Sequence, residues 1–189
     1  LWVFAGAAHA TQYTSSQYVG EGETLLMSRG VSLVYVGPGV ALRVNGANAV
    51  MIGRQSSFQI GGTPTSIAGG LRALNGGRIE LEQGTLVTNQ TGQRVYDSLL
   101  AQGKDGAGVT SKIRLSDVDI SAGYNQSGHG AFEAREGGSV HFTGGRISAG
   151  KRDDFFGLFT VNGADSEIRA VRTPISLVGN SGLGVGDRG

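Results

Sequence analysis

Apolar-x-apolar triplets return along this chain about every 28 residues, and a glycine closely follows each of the first series. That series is Leu42-Arg43-Val44, Leu71-Arg72-Ala73, Leu99-Leu100-Ala101, Phe132-Glu133-Ala134 and Phe159-Thr160-Val161, with starts 29, 28, 33 and 27 residues apart. A second series keeps step: Val50-Met51-Ile52, Ile79-Glu80-Leu81, Ile113-Arg114-Leu115, Val140-His141-Phe142 and Ile168-Arg169-Ala170, spaced 29, 34, 27 and 28. A third apolar site follows at Phe58, Leu86, Ile120, Ile147 and Ile175, spaced 28, 34, 27 and 28. Each repeat therefore carries three short segments that alternate with period two, the pattern of a strand with one buried face.

No segment sustains a 3.6-residue period over three turns, so helix is not expected. A three-strand unit cannot bury its apolar side chains alone, whereas stacked copies close a common core between them. The expected fold is all-β: a right-handed, single-stranded parallel β-helix with three short strands per coil and about five to six coils. Equivalent strands about 4.8 Å apart would make a rod roughly 25 to 30 Å long. A propeller needs about four strands per blade and a longer period, and ranks second.

Composition fits a thin core that grows by repetition. The 189 residues include 34 Gly, 3 Pro and no Cys, with 7% aromatics, so turns are plentiful, large side chains are few and disulfides are excluded. The corners need positive φ, which Gly76-Gly77, Gly137-Gly138 and Gly144-Gly145 can supply. The 16 Lys and Arg against 15 Asp and Glu give a net charge of +1, too balanced for a nucleic-acid binder. One domain is expected. Residues 11–189 form the β-helix, with regular coils from about 40 to 178. Residues 1–10 are apolar and small and end in Ala8-His9-Ala10; they read either as the tail of an export signal or as a strand capping the first coil.

Residues between the apolar pairs should face outward. Met51, Glu80, Arg114, His141 and Arg169 would stack along the second strand, and Gln59, Val87, Ser121, Ser148 and Ser176 along the third. Glu80 beside Arg114 would be an exposed pair worth at most about 1 kcal/mol. The coil holding Leu99 and Ile113 is longer by about six residues, placed in Gln102-Gly103-Lys104-Asp105-Gly106-Ala107-Gly108, where a loop should project. A second variable corner is Gly150-Lys151-Arg152-Asp153-Asp154-Phe155-Phe156-Gly157.

The segments 108–120, from Gly108-Val109-Thr110 to Val118-Asp119-Ile120, and 130–147, from Gly130-Ala131-Phe132 to Gly145-Arg146-Ile147, resemble the passenger domains of pertactin-like autotransporters. The likeness covers roughly residues 40 to 178 and rests on core and corner positions. It implies export through the periplasm to the bacterial cell surface or outer membrane, or release from it. It also implies a C-terminal β-barrel translocator in the full-length protein. The role it implies is adhesion, autoaggregation or a display stalk, with a host-surface or matrix protein, a glycan or a second cell as partner.

Three sets of residues have the composition of catalytic or metal sites. Val178-Gly179-Asn180-Ser181-Gly182 has the context of a serine nucleophile, but it would need a base among His9, His129 and His141 and an oriented acid. Gly128-His129-Gly130 and Asp153-Asp154 match strings of polygalacturonase-type β-helix enzymes, in which the acid pair precedes the histidine; here the order is reversed. A pectate lyase-like calcium site needs acids aligned on adjacent coils, and the outward column of Glu80, Arg114, His141 and Arg169 offers one carboxylate. Asp117 and Asp119 have no match one coil away. The expectation is a non-enzymatic protein with no catalytic, cofactor or metal residues and no cofactor, its binding residues unassigned. A polysaccharide-degrading β-helix enzyme is the alternative.

Overall fold

A computed structural model describes residues 11–63, 67–88, 94–122, 131–149, 158–177 and 185–186. The chain winds into a parallel β-solenoid of about five turns with three strands per turn, and no helix is present among the described residues. The first sheet stacks Gln17–Val19, Gly39–Asn45, Ile67–Leu74, Leu99–Gln102, Phe132–Arg135, Phe159–Asn162 and Val185–Gly186. The second stacks Thr24–Met27, Val50–Arg54, Arg78–Glu82, Lys112–Ser116, Ser139–Thr143 and Glu167–Val171. The third stacks Gln12–Tyr13, Ser32–Val36, Ser57–Gly61, Thr85–Thr88, Asp119–Ala122, Arg146–Ala149 and Ile175–Leu177. Every strand pair in the three sheets is parallel, and Ile79, Ile113, Val140 and Ile168 are direct partners on successive strands.

The core is the column these registers create. Leu42, Leu71, Leu99 and Phe132 stack inside the first sheet, Met51, Ile79, Ile113 and Val140 inside the second, and Leu33, Phe58, Leu86, Ile120 and Ile147 inside the third, all buried. Burying each such side chain contributes roughly 1.5–3 kcal/mol. Toward the later coils the filling turns aromatic: Phe132 meets Phe142 edge-on at 5.1 Å between centroids and lies 5.7 Å from Phe159. Such pairs add about 0.5–1.5 kcal/mol beyond the area they bury.

Each turn from second to third sheet begins on a left-handed residue directly after the second-sheet strand in the coils from Val50 onward. Gln55, Gln83, Asp117 and Arg172 have φ of 50°, 52°, 53° and 52°, and Gly144, at 67°, takes the same place in its coil. Their N–H groups donate to the next coil: Gln55 to the Glu82 carbonyl at 2.8 Å, Gln83 to Ser116 at 2.9 Å, Asp117 to Thr143 at 2.8 Å and Gly144 to Val171 at 3.0 Å. The hydrogen-bonded ladder thus continues through the bend, and no buried donor is lost there.

At the corner from first to second sheet the paired glycines divide the work. Gly76 and Gly137 hold φ of 89° and 83°. Gly77 and Gly138 are not left-handed; a Cβ on them would drive into the carbonyl oxygens of Val44 and Ala101 in the preceding coil. The third pair, Gly144 and Gly145, lies instead at a second-to-third corner, and both of its residues are left-handed.

One sequence expectation needs correction, and two features go beyond what was expected. Met51 points inward and is fully buried, while Val50 and Ile52 face outward, so Ile52 and not Met51 stacks beneath Glu80. The cause is Gly53, which holds the second inward place with no side chain to mark it: a Cβ there would lie 2.8 Å from Leu81 Cδ2 and 3.3 Å from Met51 Cε. The sheets also extend below residue 40, where the repeat shortens to 26 residues between Thr24 and Val50 and 25 between Gln17 and Leu42, masking its period. Lastly, Glu133 and Leu100 alternate with core residues as expected, yet both are buried on the outer side of their strands, Glu133 with an Arg135 guanidinium nitrogen 2.5 Å from its carboxylate.

Candidate functional site

The longer coil builds a concavity against the second sheet. After Gln102 the chain leaves the first sheet, runs through a short loop and re-enters the second sheet at Lys112. Ser111 closes the loop's base: its N–H donates to the Gly103 carbonyl at 2.9 Å, its hydroxyl donates to the Gln102 carbonyl at 2.7 Å, and its Oγ accepts from Gly76 N at 3.0 Å. Within the loop, one carboxylate oxygen of Asp105 accepts the N–H groups of Ala107 at 2.9 Å and Val109 at 2.8 Å. Lys104 and Thr110 bridge antiparallel across it.

The loop is tied along the rod as well as projecting from it. Lys104 Nζ lies 2.9 Å from an Asp165 carboxylate oxygen, past the intervening coil that carries Gly137. This hydrogen bond, with the charge of Lys104, holds the Asp165 carboxyl below the ordinary aspartate range. On the other side, Asp105 Cβ sits so close to Gly76 that a Cβ at Gly76 would be 2.8 Å away.

Between this loop and the second sheet lies a cleft of about 230 Å³. Its charged lining is Arg78, Lys112, Arg114 and Asp105, its neutral polar lining includes Asn48 and Thr110, and Ala49, Val50 and Val109 supply apolar surface. Arg78 and Lys112 are partners on adjacent strands, as are Glu80 and Arg114. Glu80 is shared, 3.4 Å from Arg78 and 3.9 Å from Arg114, and Lys112 makes no ion pair among the described residues. Cations therefore outnumber carboxylates, and one of the two carboxylates is committed to the loop's own backbone. The arrangement suits an anionic group of a ligand.

Elsewhere the expected residues are dispersed. His141 lies one coil above Arg114, with Nε2 3.4 Å from Glu167. Asp117 holds a left-handed corner, while Asp119 starts a third-sheet strand and pairs with Arg146 at 2.9 Å. The Arg146 hydrogen bond keeps the Asp119 carboxyl below its ordinary range and raises the guanidinium of Arg146. No three His, Cys, Asp or Glu side chains gather to hold a metal among the described residues. His9, His129, Asp153, Asp154, Asn180 and Ser181 lie outside the described residues, as does the corner at 150–157.

Two features left no mark in the sequence pattern. The walls of the cleft come from three coils, contributing Asn48, Arg78 and Thr110, which no local motif links. The other is Asp97, buried after the short extra strand Arg94–Val95 and gripped by Arg72 through Nη2 at 2.7 Å and Nε at 3.3 Å. The chain matches no protein-family model, no curated protein and no solved structure.

Proposed function

We propose that this chain is a non-enzymatic passenger of the autotransporter type, displayed at a bacterial surface or released from it, that acts in adhesion or self-association between cells. The observation that carries the reading is the continuous parallel ladder: three sheets run in register with short corners, while the additional chain is concentrated in particular connections. Those from third to first sheet lengthen from two residues between Val36 and Gly39 to nine between Ala122 and Phe132 and nine between Ala149 and Phe159. Connections longer than a corner requires are where solenoid folds commonly carry a binding surface. Its partners on this reading are a host-surface or matrix protein, a glycan or the same protein on a neighbouring cell, and a β-barrel translocator completes the full-length protein.

The test is direct. Beads coated with the purified chain are mixed with one another and with immobilised host matrix, and aggregation and retention are measured. Clumping or retention is the expected result; beads that stay dispersed and unretained across matrices contradict the reading. A second reading, a polysaccharide-degrading β-helix enzyme, draws on the sequence strings Gly128-His129-Gly130 and Asp153-Asp154. Release of reducing ends from an acidic polysaccharide, lost in His129→Ala, would favour it.

A further inference from the structure

We propose that the cleft beneath the 103–111 loop is a subsite for one acidic sugar unit, bearing a carboxylate or a sulfate, within a longer polysaccharide. The proposal rests on the display reading and adds the class of ligand.

Size comes first. At about 230 Å³ the cleft is smaller than the roughly 300–1,000 Å³ typical of pockets that enclose a whole small molecule, so it suits one unit of a chain that continues outside. Charge comes second. Arg78, Lys112 and Arg114 converge on it, Glu80 is divided between the two arginines, and Lys112 has no ionic partner among the described residues. A carboxylate or sulfate placed there gains charge-assisted hydrogen bonds of the strong kind. Glu80 and Asp105 would repel a more highly charged group, which favours a singly charged sugar substituent over a phosphate.

The walls are mixed. Asn48 and Thr110 can meet hydroxyl groups, while Val50 and Val109 offer apolar surface to the C–H face of a ring. Nucleic acid is a poorer match, because no aromatic side chain lines the cleft for base stacking and the chain as a whole carries only +1. The wall is also held in place before any ligand arrives. Ser111 fixes its base, Asp105 its turn and the Lys104–Asp165 pair its flank, so little ordering is needed on binding.

Titration calorimetry on the full chain tests this with five probes: a sulfated uronate–glucosamine hexasaccharide, a galacturonate hexamer, a neutral glucose hexamer, inorganic sulfate and inorganic phosphate. Binding of one or both acidic oligosaccharides is expected, with the neutral hexamer silent; which acidic probe binds distinguishes sulfate from carboxylate. Lys112→Gln combined with Arg114→Gln should weaken binding at least tenfold, while Arg54→Gln, whose side chain pairs with Glu82 outside the cleft lining, leaves it unchanged. Circular dichroism establishes that both variants are folded.

Four results would overturn the proposal: no acidic probe binds, the neutral hexamer binds as well, the double variant binds as tightly, or inorganic sulfate or phosphate matches the oligosaccharides. The bead assay separates this failure from that of the display reading. Clumping without acidic-sugar binding removes the subsite alone; sugar binding without clumping or retention removes the display role alone.

Discussion

A methyl group added at Gly77 would meet the carbonyl oxygen of Val44 in the coil below, and one at Gly138 that of Ala101. Backbone cannot step aside as a flexible side chain can, so Gly77→Ala and Gly138→Ala should each cost about 1–3 kcal/mol in denaturant unfolding. Gly106→Ala is the control: nothing lies within 4 Å of its added Cβ, and stability should change by less than about 1 kcal/mol. Ile147 is buried between Ile120 and Ile175, so Ile147→Asp places an unpaired charge in the core and should remove the cooperative thermal transition or lower stability by roughly 4 kcal/mol or more. The Arg72–Asp97 fork obeys a different rule. Asp97→Ala leaves a part-buried guanidinium without its carboxylate and should cost about 1.5–3 kcal/mol, whereas Arg72→Met with Asp97→Leu should recover most of that loss. A double variant no more stable than Asp97→Ala would contradict this account.

At the scale of elements, the loop after Gln102 is tied at its flank by a pair that pH and salt can both loosen. Asp165 is held below its ordinary range by Lys104, so the contribution of this pair is fully present above the unfolded value of about 3.9 and is lost as pH falls through the lower folded value. Both side chains are solvent-exposed, and salt should weaken the tie as well. Asp165→Asn should therefore speed amide exchange at Ala107 and Val109 at neutral pH while leaving the strand amides of Lys112–Ser116 unchanged. The inserted length was legible in the sequence because it breaks the repeat between Leu99 and Phe132. Its attachment was not, because Lys104 and Asp165 are 61 residues apart and only the winding brings them together. The strands themselves were legible for a plain reason: Leu71, Leu99 and Phe132, or Ile79, Ile113 and Val140, have bulk on alternate positions. Where Gly53 lacks that bulk, the alternation around Met51 fits either face, and only the partner strand resolves it.

For the whole molecule, stability should be a sum over neighbouring coils. The central strands have a fully buried inner column, while Phe159, Ile168, Ile175 and Leu177 in the last described coil are only partly buried. Amide exchange should consequently be slowest in Arg78–Glu82 and Lys112–Ser116 and faster in Thr24–Met27 and Glu167–Val171; uniform protection along the second sheet would argue against a stack of separable coils. The left-handed corners bear on how such a rod answers tension. Because its inter-coil bonds, those through Gln83 and Asp117 included, link one turn to the next, a pull on one end can open them one turn at a time. Each turn that peels shortens the rod by only about 4.8 Å yet frees a tether of roughly 90–100 Å, at about 3.3–3.6 Å per residue. Under load such a rod would give way gradually, lengthening by stages before it parts.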